Sequence, residues 1–168
     1  MSEKDRPVFI LGCPRSGNTI MGTLLNRHPD FFILFETNVL RSFYLKKWSS
    51  GEHRYRHNPK AYFARMAFRD LRKYNQKFGV SQEDIRDCLD PSSPGWAGMM
   101  ANYMNLLRDR AKPEATRWGD KTPHHVALLT DIFELYPDAQ VLWVYRDPRH
   151  VVTSLSKSSF PFTSDQPI

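Results

Sequence analysis

An apolar run, Pro7-Val8-Phe9-Ile10-Leu11, passes directly into Gly12-Cys13-Pro14-Arg15-Ser16-Gly17-Asn18-Thr19, and then into Ile20, Met21, Leu24 and Leu25 at helical spacing. This succession of strand, glycine loop and helix constrains the chain more than any other feature. An unbroken β-rich apolar run reads as a strand buried on both faces, which is the habit of parallel sheets. His28-Pro29 stops the helix. The loop between them has the G-x-x-x-x-G-x-[ST] frame of a phosphate cradle. Its glycines let the backbone approach an anion, and its N–H groups and the helix N-terminus point at that anion. Taken alone, the frame is equally compatible with a plain glycine turn.

The rest of the chain alternates in the same way. Residues 31–35 are apolar and end on Glu36-Thr37-Asn38, and 39–48 can be helical. After a polar linker at 49–53 comes a helix with Phe63, Met66, Ala67, Leu71, Tyr74 and Phe78 on one face, and Arg65, Arg69, Arg72 and Lys73 on the other. Gly79 suits its C-cap, Ser81 and Asp84 suit a following N-cap, and 91–95 break the chain before a helix over 96–110. Arg117-Trp118-Gly119-Asp120-Lys121-Thr122-Pro123 leads to a helix ending at Tyr136, then to a strand over 141–145, Arg146-Asp147-Pro148, and a last helix carrying Val151, Val152 and Leu155. This order predicts one α/β domain over 1–168, a parallel sheet flanked by helices, with a helical insertion over about 39–112. Its polar candidates all fall at the carboxyl ends of strands, where ligands sit in such sheets.

With 40% hydrophobic and 25% charged residues the chain is globular, which excludes wholesale disorder and collagen-like repeats. Its net charge of +6 is concentrated at 41–77, where eleven Lys and Arg face only Glu52 and Asp70. A solvated helix face accounts for such a run, and no nucleic-acid partner is expected from it. Cys13 and Cys88 have no metal or disulfide spacing, and no run of 18 apolar residues occurs. A reducing, cytoplasmic setting without a membrane span is the expectation.

The loop has two companions. Asn18 stands where a nucleoside-triphosphatase loop carries Lys, which disfavours a kinase or NTPase, while Arg15 still brings a cation to an anionic group. Tyr145-Arg146-Asp147-Pro148-Arg149 follows the second apolar strand, and Ser154 lies eight residues after Arg146. Together the loop and this pair resemble the two nucleotide signatures of the sulfotransferases that use 3′-phosphoadenosine 5′-phosphosulfate. The resemblance implies that Pro14, Arg15, Ser16, Gly17, Asn18 and Thr19 hold the 5′-phosphosulfate, and that Arg146 and Ser154 hold the 3′-phosphate. A guanidinium fork and a hydroxyl suit one phosphate.

Glu36-Thr37 is similar to the Glu-Thr of the tyrosylprotein sulfotransferases and the bacterial group that resembles them, which implies that Glu36 is the general base. Asp120-Lys121-Thr122-Pro123 resembles the Lys-x-Pro element of the same enzymes. It implies that Lys121, with Arg15, steadies charge on the leaving group, which lowers a barrier when that charge develops in the transition state. A solvent-facing Glu36 and a surface Lys121 beside Asp120 are the plain alternatives. No catalytic metal is implied, and His124-His125 lacks a metal-ligand frame.

Asn18 departs from the Thr usual in the tyrosylprotein group. Members of the family also continue well past the 3′-phosphate helix, whereas this chain ends at Ile168. The expectation is therefore a C-terminally truncated sulfotransferase with an open apolar face that makes it aggregate or dimerise. A nucleotide donor and a hydroxyl acceptor are the expected partners. A nucleotide-binding remnant without turnover is the alternative.

Overall fold

The computed structural model describes residues 6–40, 58–89 and 95–157. Most of the helix expected at 39–48, the linker at 49–53, most of the break at 91–95 and the proline-bearing end after 157 lie outside the described residues. In chain order the described elements are β1 (Val8–Gly12), α1 (Asn18–Arg27), β2 (Phe31–Phe35), α2 (Pro59–Asp70), α3 (Arg72–Phe78), α4 (Gln82–Asp87) and α5 (Trp96–Ala111). There follow β3 (Arg117–Lys121), a 3-10 helix (Pro123–Leu128), α6 (Leu129–Leu135), β4 (Gln140–Val144) and α7 (Pro148–Ser156).

All four strands are parallel and lie in the order β2-β3-β1-β4. Every residue of β1 is buried, as its unbroken apolar run requires. Alternation splits that run between two layers. Phe9 and Leu11 enter the larger core with Phe32, Leu34, Trp118 and the residues of α2 to α6, while Val8 and Ile10 pack with Ile33, Met21 and Leu25 against α1. The rings of Phe9, Trp118 and Tyr136 meet at centroid distances of 5.7–6.1 Å.

Sequence reasoning missed β3. Arg117-Trp118-Gly119-Asp120-Lys121 has neither an apolar run nor simple alternation, and its strand state is imposed by β1 and β2 hydrogen-bonding on both sides. Gly119 shows how tight that insertion is: a Cβ there would lie 2.4 Å from the Val8 carbonyl oxygen and 2.6 Å from Ile33 Cδ1.

The amphipathic stretch around Phe63 to Phe78 is two helices. It breaks at Leu71, and buried Asn75 repairs the break by donating to the Ala67 and Phe68 carbonyls and accepting from the Tyr103 hydroxyl at 2.7 Å. Gly79 takes the left-handed C-cap, and Ser81 with Asp84 forms the capping box, as the sequence predicts. The helix expected before Tyr136 begins as the 3-10 turn and only then becomes α6. Among the described residues β4 has a strand neighbour on one side only, and Leu142, Trp143 and, on α7, Val152 are exposed.

Candidate active site

The carboxyl ends of β1, β2, β3 and β4 deliver the loop, Glu36, Lys121 and Arg146 to one rim of the sheet. In the loop, Gly12 has φ 144° and Gly17 φ 107°. A Cβ at Gly12 would stand 2.4 Å from the Val144 carbonyl oxygen, so glycine is required there by conformation and by space. Gly17 caps α1 with no side-chain hydrogen bond and the first turn has no acidic residue, which leaves the helix N–H groups available to an anion. Asn18 does not reach outward: it is buried and donates to the Cys13 carbonyl at 2.8 Å, tying the loop across itself. Ser16 is also buried and its backbone N–H bonds Cys13.

Glu36 follows β2 with a left-handed φ of 58°, and Asn38 with 52°. Such values are uncommon outside glycine and call for support from the surroundings. The Glu36 amide donates to the Lys121 carbonyl at 2.7 Å, and the Asn38 side chain donates to the Glu36 carbonyl at 3.3 Å. The Tyr74 hydroxyl donates to the Phe35 carbonyl just before the turn. Burial, with the charges of Asp120 and Glu36 nearby, pushes that phenol well above its ordinary pKa, so it stays a donor.

Lys121 is not a surface lysine. Its side chain is 2% exposed and packs beside Gly22 of α1 and the Phe35 ring, and its Nζ reaches Glu36 Oε1 at 2.7 Å and Thr19 Oγ1 at 3.3 Å. Gly22 makes room for the Phe35 ring, which a Cβ there would meet at 3.0 Å, while the Lys121 stem would lie at an ordinary 3.5 Å. Glu36 is 59% exposed, so one carboxylate oxygen is engaged by Lys121 while the group still faces solvent.

Arg146 precedes Asp147, the N-cap of α7, and Ser154 lies inside that helix. Arg146 Nη1 donates to the Arg15 carbonyl at 3.1 Å, and Arg15 Nε donates to Ser154 Oγ at 3.0 Å. The two signatures, more than 120 residues apart in the chain, are thus joined in space. A pocket of about 450 Å³ opens between them, lined by Pro14, Arg15, Gly17, Asn18, Thr19, Glu36, Arg146 and Ser154. Of the loop residues expected to hold the phosphosulfate, Ser16 is absent from its wall, and Lys121 meets it through Glu36 and Thr19. Its volume is in the ~300–1,000 Å³ range of small-molecule sites.

Ile20, Asn38, Thr122, Pro123 and His124 also line the pocket, and sequence reasoning gave none of them a role. Position beside the Lys-x-Pro element was the available signal for Thr122 to His124. A second hollow, of about 310 Å³, is lined by Asp70, Lys73 and Tyr74 and shares Glu36 and Asn38 with the first. Glu36 therefore stands where the two spaces meet. Among the described residues no cluster of three or more His, Cys, Asp or Glu could hold a metal, and no helix is long and apolar enough to cross a membrane.

A model described as the sulfotransferase family matches residues 7–166. The chain belongs to the sulfotransferase family. Sulfotransferase relatives include human protein-tyrosine sulfotransferase 1, 29% identical over 155 residues that make up 90% of this chain and 34% of the relative. The nodulation protein NoeE of Sinorhizobium fredii is 28% identical over 164 residues, 94% of this chain and 33% of that protein. Among solved structures, sulfotransferase STF9 of Mycobacterium avium aligns with a TM-score of 0.44 at 18% identity, over 92% of this chain and 46% of its own. The chain spans half or less of the length of the curated relatives it matches.

Proposed function

We propose that the chain is a sulfotransferase that moves a sulfuryl group from 3′-phosphoadenosine 5′-phosphosulfate to an acceptor hydroxyl. The observation that carries the reading is the Glu36–Lys121 pair, 2.7 Å apart, beside a pocket whose walls also hold the glycine loop, Arg146 and Ser154. The donor set suits a doubly phosphorylated nucleotide. Loop N–H groups and Arg15 suit one anionic end, and Arg146 with Ser154 suits the other. When bound, the nucleotide supplies the sulfuryl group and a phosphate leaving group.

Each residue then has one task. Glu36 takes the proton of the acceptor hydroxyl through the oxygen that Lys121 leaves free, as that hydroxyl oxygen forms its bond to sulfur. The bond from sulfur to the bridging phosphate oxygen breaks, and the electron pair stays on that oxygen. Lys121 and Arg15 offset the charge that builds there, and Lys121, already nearly dry, does so without reorganising water. The hollow on the far side of Glu36 suits the acceptor.

Sulfur-35-labelled donor incubated with the chain and a panel of hydroxyl acceptors (phenols, sugars, sterols) tests this reading. Labelled product with the wild type, falling about 100-fold or more in Glu36→Gln, is the expected outcome. Selective nucleotide binding without product from any acceptor would instead make the chain a binding remnant.

A further inference from the structure

Asp120 and His125 are 1% and 0% exposed, and no step above uses them. Asp120 neighbours Lys121 in β3, so the two side chains leave the strand on opposite faces. Lys121 goes to the α1 side and holds Glu36. Asp120 goes into the larger core, opposite Leu34 of β2 and Phe9 of β1, where it borders a small void lined by Trp118, Tyr136 and Met100. A carboxylate there carries a desolvation cost that an apolar residue would avoid, and replacing a buried ion pair by apolar groups is often neutral or stabilising. Core stability does not explain the residue.

Its contacts do. Asp120 Oδ1 accepts the Thr37 amide at 3.4 Å, and Oδ2 lies 3.1 Å from His125 Nδ1, at ion-pair distance but without hydrogen-bond geometry. Thr37 is buried, so its amide has no solvent to replace this acceptor, and its own Oγ1 accepts from the Val39 amide at 3.3 Å. Thr37 is the residue between the two left-handed positions, Glu36 and Asn38. His125 is carried by the 3-10 helix and its amide bonds the Thr122 carbonyl, so the helix that follows Lys121 also backs the carboxylate.

We propose that Asp120 and His125 are positioning residues: a buried pair that holds the Glu36–Asn38 turn through the Thr37 amide and so aims the Glu36 carboxylate. Consecutive residues of β3 then grip consecutive residues after β2, Lys121 from one face and Asp120 from the other. The proposal rests on the sulfuryl-transfer reading for the task of Glu36, and on geometry alone for the clamp.

The test measures amide hydrogen exchange by NMR on the whole chain, Thr37 against Ile10 in β1, for wild type, Asp120→Asn, Asp120→Leu and His125→Leu. Asp120→Leu removes the acceptor and should speed Thr37 exchange about tenfold relative to Ile10, and His125→Leu should move it the same way. Asp120→Asn keeps an oxygen in place and should stay within about threefold of wild type. Turnover should fall in the two leucine variants and recover in Asp120→Asn, while affinity for adenosine 3′,5′-bisphosphate is the same in all four proteins.

An equal rise at Thr37 and Ile10, or an Asp120→Asn protein that behaves as Asp120→Leu, would overturn the clamp. If Asp120→Leu does not fold, His125→Leu against Asp120→Asn decides by the same criterion. A wild type that does not bind the nucleotide removes the sulfuryl-transfer reading, and the exchange pattern still decides the clamp.

Discussion

Replacing Lys121 by Met separates catalysis from stability. The ammonium makes a charge-assisted hydrogen bond to Glu36 at 2.7 Å and a longer one to Thr19. Hydrogen bonds to charged groups contribute roughly 1.5–3 kcal/mol when sheltered. Glu36 is 59% exposed, however, so water replaces much of what it loses, and the discounted value is about 1 kcal/mol. Against this, Met keeps an aliphatic stem beside Gly22 and Phe35 and removes the desolvation cost of a 2%-exposed ammonium. The net change in stability is within about 1 kcal/mol, a shift in Tm of roughly 2–4 °C for a chain of this size. Under the proposed mechanism turnover loses the charge assigned to the leaving oxygen and should fall about 100- to 1,000-fold. Thermal unfolding followed by circular dichroism gives the first quantity, and product formation at saturating labelled donor gives the second. A Tm loss beyond roughly 10 °C would make Lys121 a structural residue. A folded variant with undiminished turnover would refute its role in the transition state.

Other substitutions and labels probe the loop, the turn after β2 and the two thiols separately. Gly12→Ala places a Cβ against the Val144 carbonyl at φ 144° and should cost about 2–3 kcal/mol, read from the urea midpoint. Tyr74→Phe removes the donor to the Phe35 carbonyl and should cost about 1 kcal/mol, with a loss under a few tenths showing that Lys73 replaces it. Burial pushes the Cys88 thiol up to about 11, so its thiolate is scarce at pH 8. Iodoacetamide at pH 8 should therefore label exposed Cys13 at least about tenfold faster than Cys88, as peptide mass mapping over time would reveal.

What the sequence made legible was local. The run at β1 and the glycines at 12 and 17 announce strand, loop and helix because each depends on its own residues, and the capping box at Ser81 is equally self-contained. Polar β3 was invisible because it is a strand only between β2 and β1. Glu36, Lys121, Arg146 and Ser154 could be named from their motifs, but the sequence alone could not reveal that Lys121 is buried against Gly22, or that Arg15 bridges to Ser154. His125 was set aside for want of a metal frame. Its partner, Asp120, approaches from a neighbouring element of the fold, and no spacing rule describes that contact.

Isothermal titration of the chain with adenosine 3′,5′-bisphosphate, beside ATP and beside Arg146→Ala, is the direct test of the nucleotide site. The bisphosphate should bind in preference to ATP, with affinity reduced tenfold or more in Arg146→Ala, about the loss of one charge-assisted contact. Folded wild-type protein that binds neither nucleotide, or binds both equally and ignores the Arg146 change, would contradict it.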